Sequence, residues 1–287
     1  MRPARSRPPK LEPHSGAPRA VALPAPPPAP TLPTLIERSK VAGPGASGPR
    51  ATELRRTVER LVAGDRGTLG ALAPIAGLTA VDAWVSIGAA FGATAETATI
   101  DTARTIAATR AAVARVLEVA ERGSRVAIAT ARPASLMPVH LAFARLARAH
   151  GAEVQDLDDL GPIRADGRTP RWLRWVGGVA VVSDGHALCG TRDGEAAREW
   201  MFAIPRPALV IADGPFAEVA WESGVEVVAF AGLDRPGLAV AAALGGRCTF
   251  VPMRTDCPAR GYRAIEDLIT GSEAGSESLP PPAAAEI

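Results

Sequence analysis

The chain of 287 residues is 47% hydrophobic and carries 32 basic against 30 acidic side chains. This apolar content supports a sizeable core and excludes a wholly disordered chain. The three cysteines include no Cys-x-x-Cys pair, which excludes a disulfide scaffold and disfavours a structural zinc site. The basic excess lies in residues 1–34, which hold five basic residues and one acidic residue, so we expect no nucleic-acid binding by the folded body.

Both ends of the chain are expected to be disordered. Residues 1–34 are rich in proline and lack hydrophobic periodicity, which predicts an extended, disordered arm, unless the start codon is misassigned. Residues 271–287 are predicted to form a second disordered tail. The basic start is not followed by an uninterrupted apolar run, so we expect no signal peptide and a cytoplasmic protein.

Residues 35–122 are predicted to form a helical N-terminal subdomain. Apolar residues recur at three- and four-residue steps in the stretches 50–63, 81–91 and 101–120. The stretch 69–95 is apolar, but it contains Asp82, and its alanines and glycines supply little free energy of transfer into lipid. We therefore expect buried helices there and no association with a membrane.

Residues 123–270 are predicted to form a Rossmann-like α/β domain. Apolar strands alternate with helices in this part of the chain, which indicates a mostly parallel sheet with flanking helices. The predicted strands are 125–130, 152–155, 209–212, 225–231 and 248–253, and the predicted helices are 135–150, 215–223, 236–244 and 262–269. Between them, Asp184-Gly185 separates two apolar runs, which predicts an inserted β-hairpin.

The turns that follow parallel strands meet at one edge of a sheet, where ligands bind. After the first strand, Thr130, Arg132 and Ser135 place hydroxyl and guanidinium groups at the start of a helix. Such donors at a helix start suit a phosphate. Arg254, after the last strand, is a further candidate for the phosphate site. The alternative is a helix begun by proline with a solvent-exposed arginine.

Two carboxylates follow later strands of the predicted sheet. Asp213 precedes Gly214 and is a candidate for catalysis and for binding Mg²⁺, with helix initiation as the alternative. Asp234 is a second catalytic candidate, with a plain helix cap as the alternative. Asp184 is a further candidate magnesium ligand beside its place in the hairpin turn. The histidines do not cluster, and His140 is expected to be a packing or surface residue.

Three runs of residues resemble a group of actinobacterial proteins that are usually described as phosphatases. They are Ala-Thr-Ala-Arg-Pro-Ala-Ser-Leu at 129–136, Glu-Trp-Met-Phe at 199–202 and Ala-Asp-Gly-Pro-Phe-Ala at 212–217. The resemblance covers about residues 35–270 and implies a phosphatase. It carries no established catalytic motif, so no catalytic residue can be transferred from it.

A second similarity concerns the haloacid-dehalogenase-type phosphatases. A strand ending in Thr130 and a later strand ending in Asp213-Gly214 look like two motifs of that superfamily. The superfamily also has a nucleophilic Asp-x-Asp at the end of an earlier strand. No such pair precedes Val126, and Asp156-Leu157-Asp158 comes too late in the chain, so an aspartyl-phosphate mechanism is not expected.

We therefore expect a hydrolase of the phosphoric monoester class that acts on a small phosphorylated metabolite at the carboxyl edge of the sheet. The hydroxyl and guanidinium groups would hold the phosphate, while Asp213, with Asp234, would bind Mg²⁺ or position water. The alternative is a non-catalytic protein that retains a phosphorylated ligand or docks a partner. A homo-oligomer is compatible with both hypotheses.

Overall fold

The described part of the chain comprises residues 30–46, 48–163, 170–192, 194–245 and 247–271 of a computed structural model. The disorder predicted for residues 1–34 and 271–287 therefore concerns segments that lie almost wholly outside the described residues. From Thr31 onwards, the described residues belong to a single unit.

Among the residues that the structure describes, five helices precede the first strand: α1 (Leu32–Arg38), α2 (Ala51–Val62), α3 (Arg66–Leu69), α4 (Ala80–Phe91) and α5 (Thr102–Glu121). Side-chain caps explain two of the starts. The Thr79 hydroxyl accepts the N–H of Asp82 at 3.2 Å, and the Asp101 carboxylate accepts the N–H of Arg104 at 2.9 Å. These bonds satisfy N–H groups that a helix start leaves unpaired. The helices predicted over 50–120 are therefore found with small shifts of their ends.

The strands are β1 (Arg125–Thr130), β2 (Glu153–Val154), β3 (Leu160–Ile163), β4 (Arg171–Val176), β5 (Val179–Ser183), β6 (Leu188–Cys189), β7 (Leu209–Asp213), β8 (Glu226–Ala231) and β9 (Cys248–Pro252). Within the described residues they form one sheet in the order β3-β4-β5-β1-β7-β8-β9, with β2 beside β1 and β6 beside β5. The five strands from β5 to β9 in this order are parallel. The predicted mostly parallel α/β sheet is confirmed.

The remaining helices cover this sheet and connect its strands. They are α6 (Pro133–Ala149), α7 (Gly194–Ala203), α8 (Gly214–Glu222), α9 (Gly237–Leu244) and α10 (Arg263–Thr270), the last preceded by a short 3₁₀ helix (Ala259–Tyr262). Because β5, β1, β7, β8 and β9 run in the same direction, their carboxyl ends lie along one edge, which we call the carboxyl edge. No helix in the described ranges is both long enough and apolar enough to cross a lipid bilayer.

The hairpin predicted at Asp184-Gly185 is confirmed, because β5 and β6 pair antiparallel and the Asp184 N–H donates to the Ala187 carbonyl at 3.2 Å. Its first strand is not peripheral, however. β5 pairs parallel with β1 inside the sheet, and all its residues are buried, as in a strand covered on both faces. The antiparallel strands β3 and β4 extend the sheet beyond it and are absent from the predicted elements.

The helices α4 and α5 close the β9 end of the sheet. The Phe91 ring of α4 lies edge-on to the Phe250 ring of β9, with centroids 5.2 Å apart. Met253 donates its N–H to Ala231 of β8, so the preceding carbonyl of Pro252 points away from the sheet. The buried hydroxyl of Thr105, on α5, donates to that carbonyl at 2.7 Å. This bond satisfies an edge-strand carbonyl that would otherwise be buried without a donor.

We expect Thr105→Val to lower the free energy of unfolding by about 1–3 kcal/mol, because it leaves the buried Pro252 carbonyl unpaired. Thr109→Val is the matched control on the same helix, since the Thr109 hydroxyl donates to the Thr105 carbonyl one turn earlier and to no other strand or helix in the described part of the chain. Its cost should stay below about 1 kcal/mol. Urea unfolding of both variants measures the difference, and equal costs would contradict this role of the Thr105 hydroxyl.

Candidate active site at the carboxyl edge of the sheet

Asp213 ends β7, and its carboxylate binds the turn after β1 rather than its own helix. The Thr130 hydroxyl donates to Asp213 Oδ2 at 2.6 Å, and the Ala131 N–H donates to Oδ1 at 3.1 Å. The Asp213 side chain makes no cap bond to α8. Thr130 and Asp213 are fully buried, so the predicted hydroxyl and carboxylate come together, but in the interior.

His140 of α6 completes this buried group. Its Nδ1 lies 2.9 Å from the Leu136 carbonyl, and its Nε2 lies 3.5 Å from Asp213 Oδ2. A carbonyl oxygen only accepts, so Nδ1 carries a proton and Nε2 faces the carboxylate. The expectation from sequence that His140 is a packing residue did not include this contact. Its signal is a histidine on the apolar face of a helix that begins at the carboxyl edge.

Burial shifts the pKa of both groups toward their uncharged forms. Desolvation raises the pKa of Asp213, against the lowering influence of His140, the Thr130 hydroxyl, the Arg132 charge and the Ala131 N–H. Desolvation also lowers the pKa of His140, although the Asp213 charge and the Leu136 carbonyl oppose this shift. Both directions favour a single proton between Asp213 Oδ2 and His140 Nε2, with no net charge on the pair.

Asp234 differs from Asp213 because its carboxylate faces solvent. Its Oδ2 accepts from Arg132 Nη2 at 2.7 Å, and the two side chains are 40% and 24% exposed. Helix α9 starts at Gly237 with Pro236 as its cap residue, so Asp234 is not the N-cap of that helix. Burial disfavours the charge of Arg132, but the carboxylates of Asp234 and other acids outweigh this and raise its pKa.

Arg235, the next residue, connects the carboxyl edge to the loop after α3 through the carboxylate of Glu218. Its Nη2 lies 3.1 Å from the buried carboxylate of Glu218, which also accepts the Ala71 N–H at 2.7 Å. Desolvation raises the pKa of Glu218, with the Arg235 charge and the Ala71 N–H opposing it. A Cβ at Gly70 would overlap both side chains, so the loop can lie this close to Arg235 and Glu218 because its residue 70 is a glycine.

The other predicted site residues have separate partners. Ser135 lies half-buried in the first turn of α6. The Arg254 side chain donates through Nε to Asp256 Oδ1 at 2.6 Å, and the backbone N–H of Arg254 donates to the Val41 carbonyl. Asp184 Oδ1 accepts two backbone N–H groups of its own turn, which lower its pKa. Their roles in phosphate or metal binding stay predictions.

The predicted magnesium ligands do not present a donor set that fits the ion. Both oxygens of Asp213 accept protein hydrogen bonds, and Asp184 closes a hairpin turn. Across the described ranges, no three or more His, Cys, Asp or Glu side chains group so that they could hold a metal ion. Magnesium binding at Asp213 and Asp184 remains a prediction, and no step proposed below passes through a metal.

The carboxyl edge of this Rossmann-like sheet thus carries the exposed carboxylate of Asp234, paired with Arg132, and the guanidinium of Arg235, paired with Glu218. A family model described as Phosphatase matches residues 30–272, and the chain belongs to this family. This agrees with the resemblance to actinobacterial phosphatases and supports a hydrolase.

One curated relative is the protein named Phosphatase SCO2771 from Streptomyces coelicolor, which is 31% identical over 160 residues. The match covers 54% of this chain and 59% of that protein, so the chain spans less than two thirds of the relative's length. No solved structure gives a significant match.

The lowered pKa of His140 predicts that its ring is less protonated at pH 6.0 than an ordinary imidazole. An ordinary imidazole is roughly three-quarters protonated there, but the lowered pKa of His140 keeps it below that fraction. Asp213→Asn should lower the pKa of His140 further, because it removes the charge that favours the imidazolium. Ring ¹⁵N shifts across a pH titration measure both effects. An imidazolium fraction at pH 6.0 equal to or above that of an ordinary imidazole, or a higher pKa in the variant, would contradict the buried pair.

Gly70→Ala is expected to lower the free energy of unfolding by about 2–4 kcal/mol. A Cβ at this position would lie 1.8 Å from Arg235 Nη2 and 2.4 Å from Glu218 Oε2, at a φ of +69°. Gly77→Ala is the control, since Gly77 has a similar φ of +72° with no atom within 4 Å, and it should cost about 1 kcal/mol. Chemical denaturation compares the two; a Gly70→Ala cost no larger than the control's argues against close packing at Arg235.

Proposed function

We propose that the protein is a phosphoric monoester hydrolase that acts on a small phosphorylated metabolite at the carboxyl edge. Membership of the Phosphatase family supports the hydrolase class. The observation that supports this location is the solvent-facing carboxylate of Asp234, paired with Arg132 and adjacent in sequence to Arg235. These three side chains line one crevice, together with Gly214 and Gly232.

In this proposal the two guanidinium groups bind the reacting phosphate. Arg132 and Arg235 are partly exposed, and each already forms an ion pair with a carboxylate. Their planar forks of N–H donors match phosphate oxygens. A phosphate that replaces Asp234 as the partner of Arg132 leaves this carboxylate free beside the phosphorus atom. Fixed positive charge then stabilises the negative charge of the transferring phosphoryl group.

Asp234 acts as the general base for an attacking water molecule. The water oxygen bonds to phosphorus while the bond from phosphorus to the metabolite oxygen breaks. One proton of the water passes to Asp234 and from there to the leaving oxygen, so that the products are an alcohol and inorganic phosphate. General-base assistance of this kind contributes about 10²- to 10⁴-fold to a rate.

The buried group acts by positioning and does not touch the substrate. The Thr130 hydroxyl, which donates to Asp213, also accepts the backbone N–H of Arg132 at 3.1 Å. A chain of contacts therefore runs from His140 through Asp213 and Thr130 to the backbone of Arg132. This chain fixes the turn from which the Arg132 guanidinium reaches Asp234. Ser135 and Arg254 remain candidates for further contacts to the substrate.

Asp234→Asn should lower kcat for phosphate release by at least 10²-fold, because an amide cannot take up the proton. Release of inorganic phosphate from a panel of phosphorylated metabolites measures this effect. The matched control is Asp156→Asn, since Asp156 forms a comparable exposed ion pair with Arg148 at the other end of α6. Both variants should unfold within about 1 kcal/mol of the parent protein.

The same assay separates the enzyme from a non-catalytic binding protein. Phosphate release that depends on Asp234 supports the hydrolase. A metabolite that raises the melting temperature of the parent protein without releasing phosphate instead indicates a binding protein. An Asp234→Asn variant that keeps full activity removes Asp234 from the mechanism.

A further inference from the structure

A second, larger cleft adjoins the proposed reaction site and has a volume of about 620 Å³. Asp234 and Arg235 line both this cleft and the crevice. The other walls come from α2, from α3 with the loop after it, and from the start of α7. Four further guanidinium groups line the cleft: Arg60, Arg66, Arg192 and Arg198. A volume of this size holds a small metabolite.

These four arginines are exposed, and their side chains form no hydrogen bond or ion pair with any residue that the structure describes. Arg235 is the only arginine of the cleft with such a partner in the described ranges, through Glu218. Like charges that line one concave surface repel each other and focus a positive potential into it. The cleft therefore favours an anion more strongly than scattered surface arginines do.

One phosphate does not use all of this charge. A phosphate monoester carries a charge of about −2 at neutral pH, and in the proposed function Arg132 and Arg235 bind it beside Asp234. Five guanidinium groups and one carboxylate line the cleft, so a large positive excess remains after the reacting phosphate is bound. That excess comes from arginines that line the cleft but not the crevice: Arg60 of α2, Arg66 of α3, Arg192 of the loop before α7 and Arg198 of α7.

We propose that Arg60, Arg66, Arg192 and Arg198 form a second anion subsite, which selects substrates that carry two phosphate groups. This inference rests on the proposed function for the position of the reacting phosphate. The remaining lining residues described for the cleft are threonine and glycine, with no aromatic ring on which a nucleobase could stack. The chemical class indicated is a polyol or sugar bisphosphate, whose hydroxyl groups suit these small polar walls.

The experiment compares binding of bisphosphates and matched monophosphates by calorimetry. The probes are fructose 1,6-bisphosphate with fructose 6-phosphate, and glucose 1,6-bisphosphate with glucose 6-phosphate. We expect at least one bisphosphate to bind the parent protein at least 10-fold more tightly than its monophosphate. The double variant Arg60→Gln/Arg192→Gln should reduce this ratio to below 3-fold.

Arg55→Gln/Arg56→Gln is the matched control, because it removes the same charge from exposed positions of α2 that do not line the cleft. It should keep the full ratio. If the double variant fails to fold in a thermal melt, Arg60→Gln alone should still lower the ratio at least 3-fold. The inference is overturned by a ratio near one for both pairs in the parent protein. It is equally overturned if the ratio survives loss of Arg60 and Arg192, or falls as much in the control.

Phosphate release, measured on the same samples, judges the proposed function separately. A high ratio that depends on Arg60 and Arg192 supports the subsite even where no phosphate is released, and then only the hydrolase proposal fails. Release of phosphate at similar kcat/KM from both members of each pair, with equal binding, retains the hydrolase and removes the second subsite.

Discussion

The carboxylate of Asp213 joins the ends of two neighbouring strands in the interior, where water does not solvate it. β1 and β7 pair in register, with Ala129 opposite Ala212, so the residues that follow each strand are brought side by side. A buried carboxylate is costly unless its oxygens accept hydrogen bonds. Its donors, the Thr130 hydroxyl and the Ala131 N–H, lie in the turn that leads to Arg132. The hydrogen bonds of this buried carboxyl group therefore fix the shape of the turn that carries the Arg132 guanidinium.

The site also depends on contacts between the helices that precede the sheet and the sheet itself. Ala71, in the loop after α3, donates to Glu218, and this carboxylate in turn holds Arg235. Replacing Glu218 leaves the Ala71 N–H without this acceptor, and replacing Arg235 leaves the buried carboxylate of Glu218 without its ion-pair partner. Helices α2 and α3 thus line the cleft that adjoins the proposed site, and α5 covers the β9 end of the sheet through Thr105.

Local patterns were sufficient to predict most of the sheet and which residues reach its carboxyl edge. Continuous apolar runs identified β1, β7, β8 and β9, and parallel pairing follows from their alternation with helices. The direction in which a side chain points at the end of a strand was not predictable. Asp213 turns inward to Thr130, whereas Asp234 turns outward to Arg132, and no periodic pattern distinguishes the two.

Contacts between residues far apart in the chain were the second feature of the fold and site that the sequence did not predict. The pairing of β5 with β1 depends on burial of both faces of β5, and an Asp-Gly turn after it indicated only a hairpin. Likewise, Arg60 and Arg192 come from a helix and a loop far apart in the chain. No local sequence pattern predicts that these two residues line the same cleft.

The edge strand β3 is protected from pairing with strands of other molecules in a different way from the edge strand β9. β3 is four residues long, its pairing with β4 is irregular, and it carries the exposed Pro162. Proline has no N–H to donate, so a strand from another molecule cannot extend the ladder regularly along it. Aggregation by strand addition is thereby discouraged at this border of the sheet.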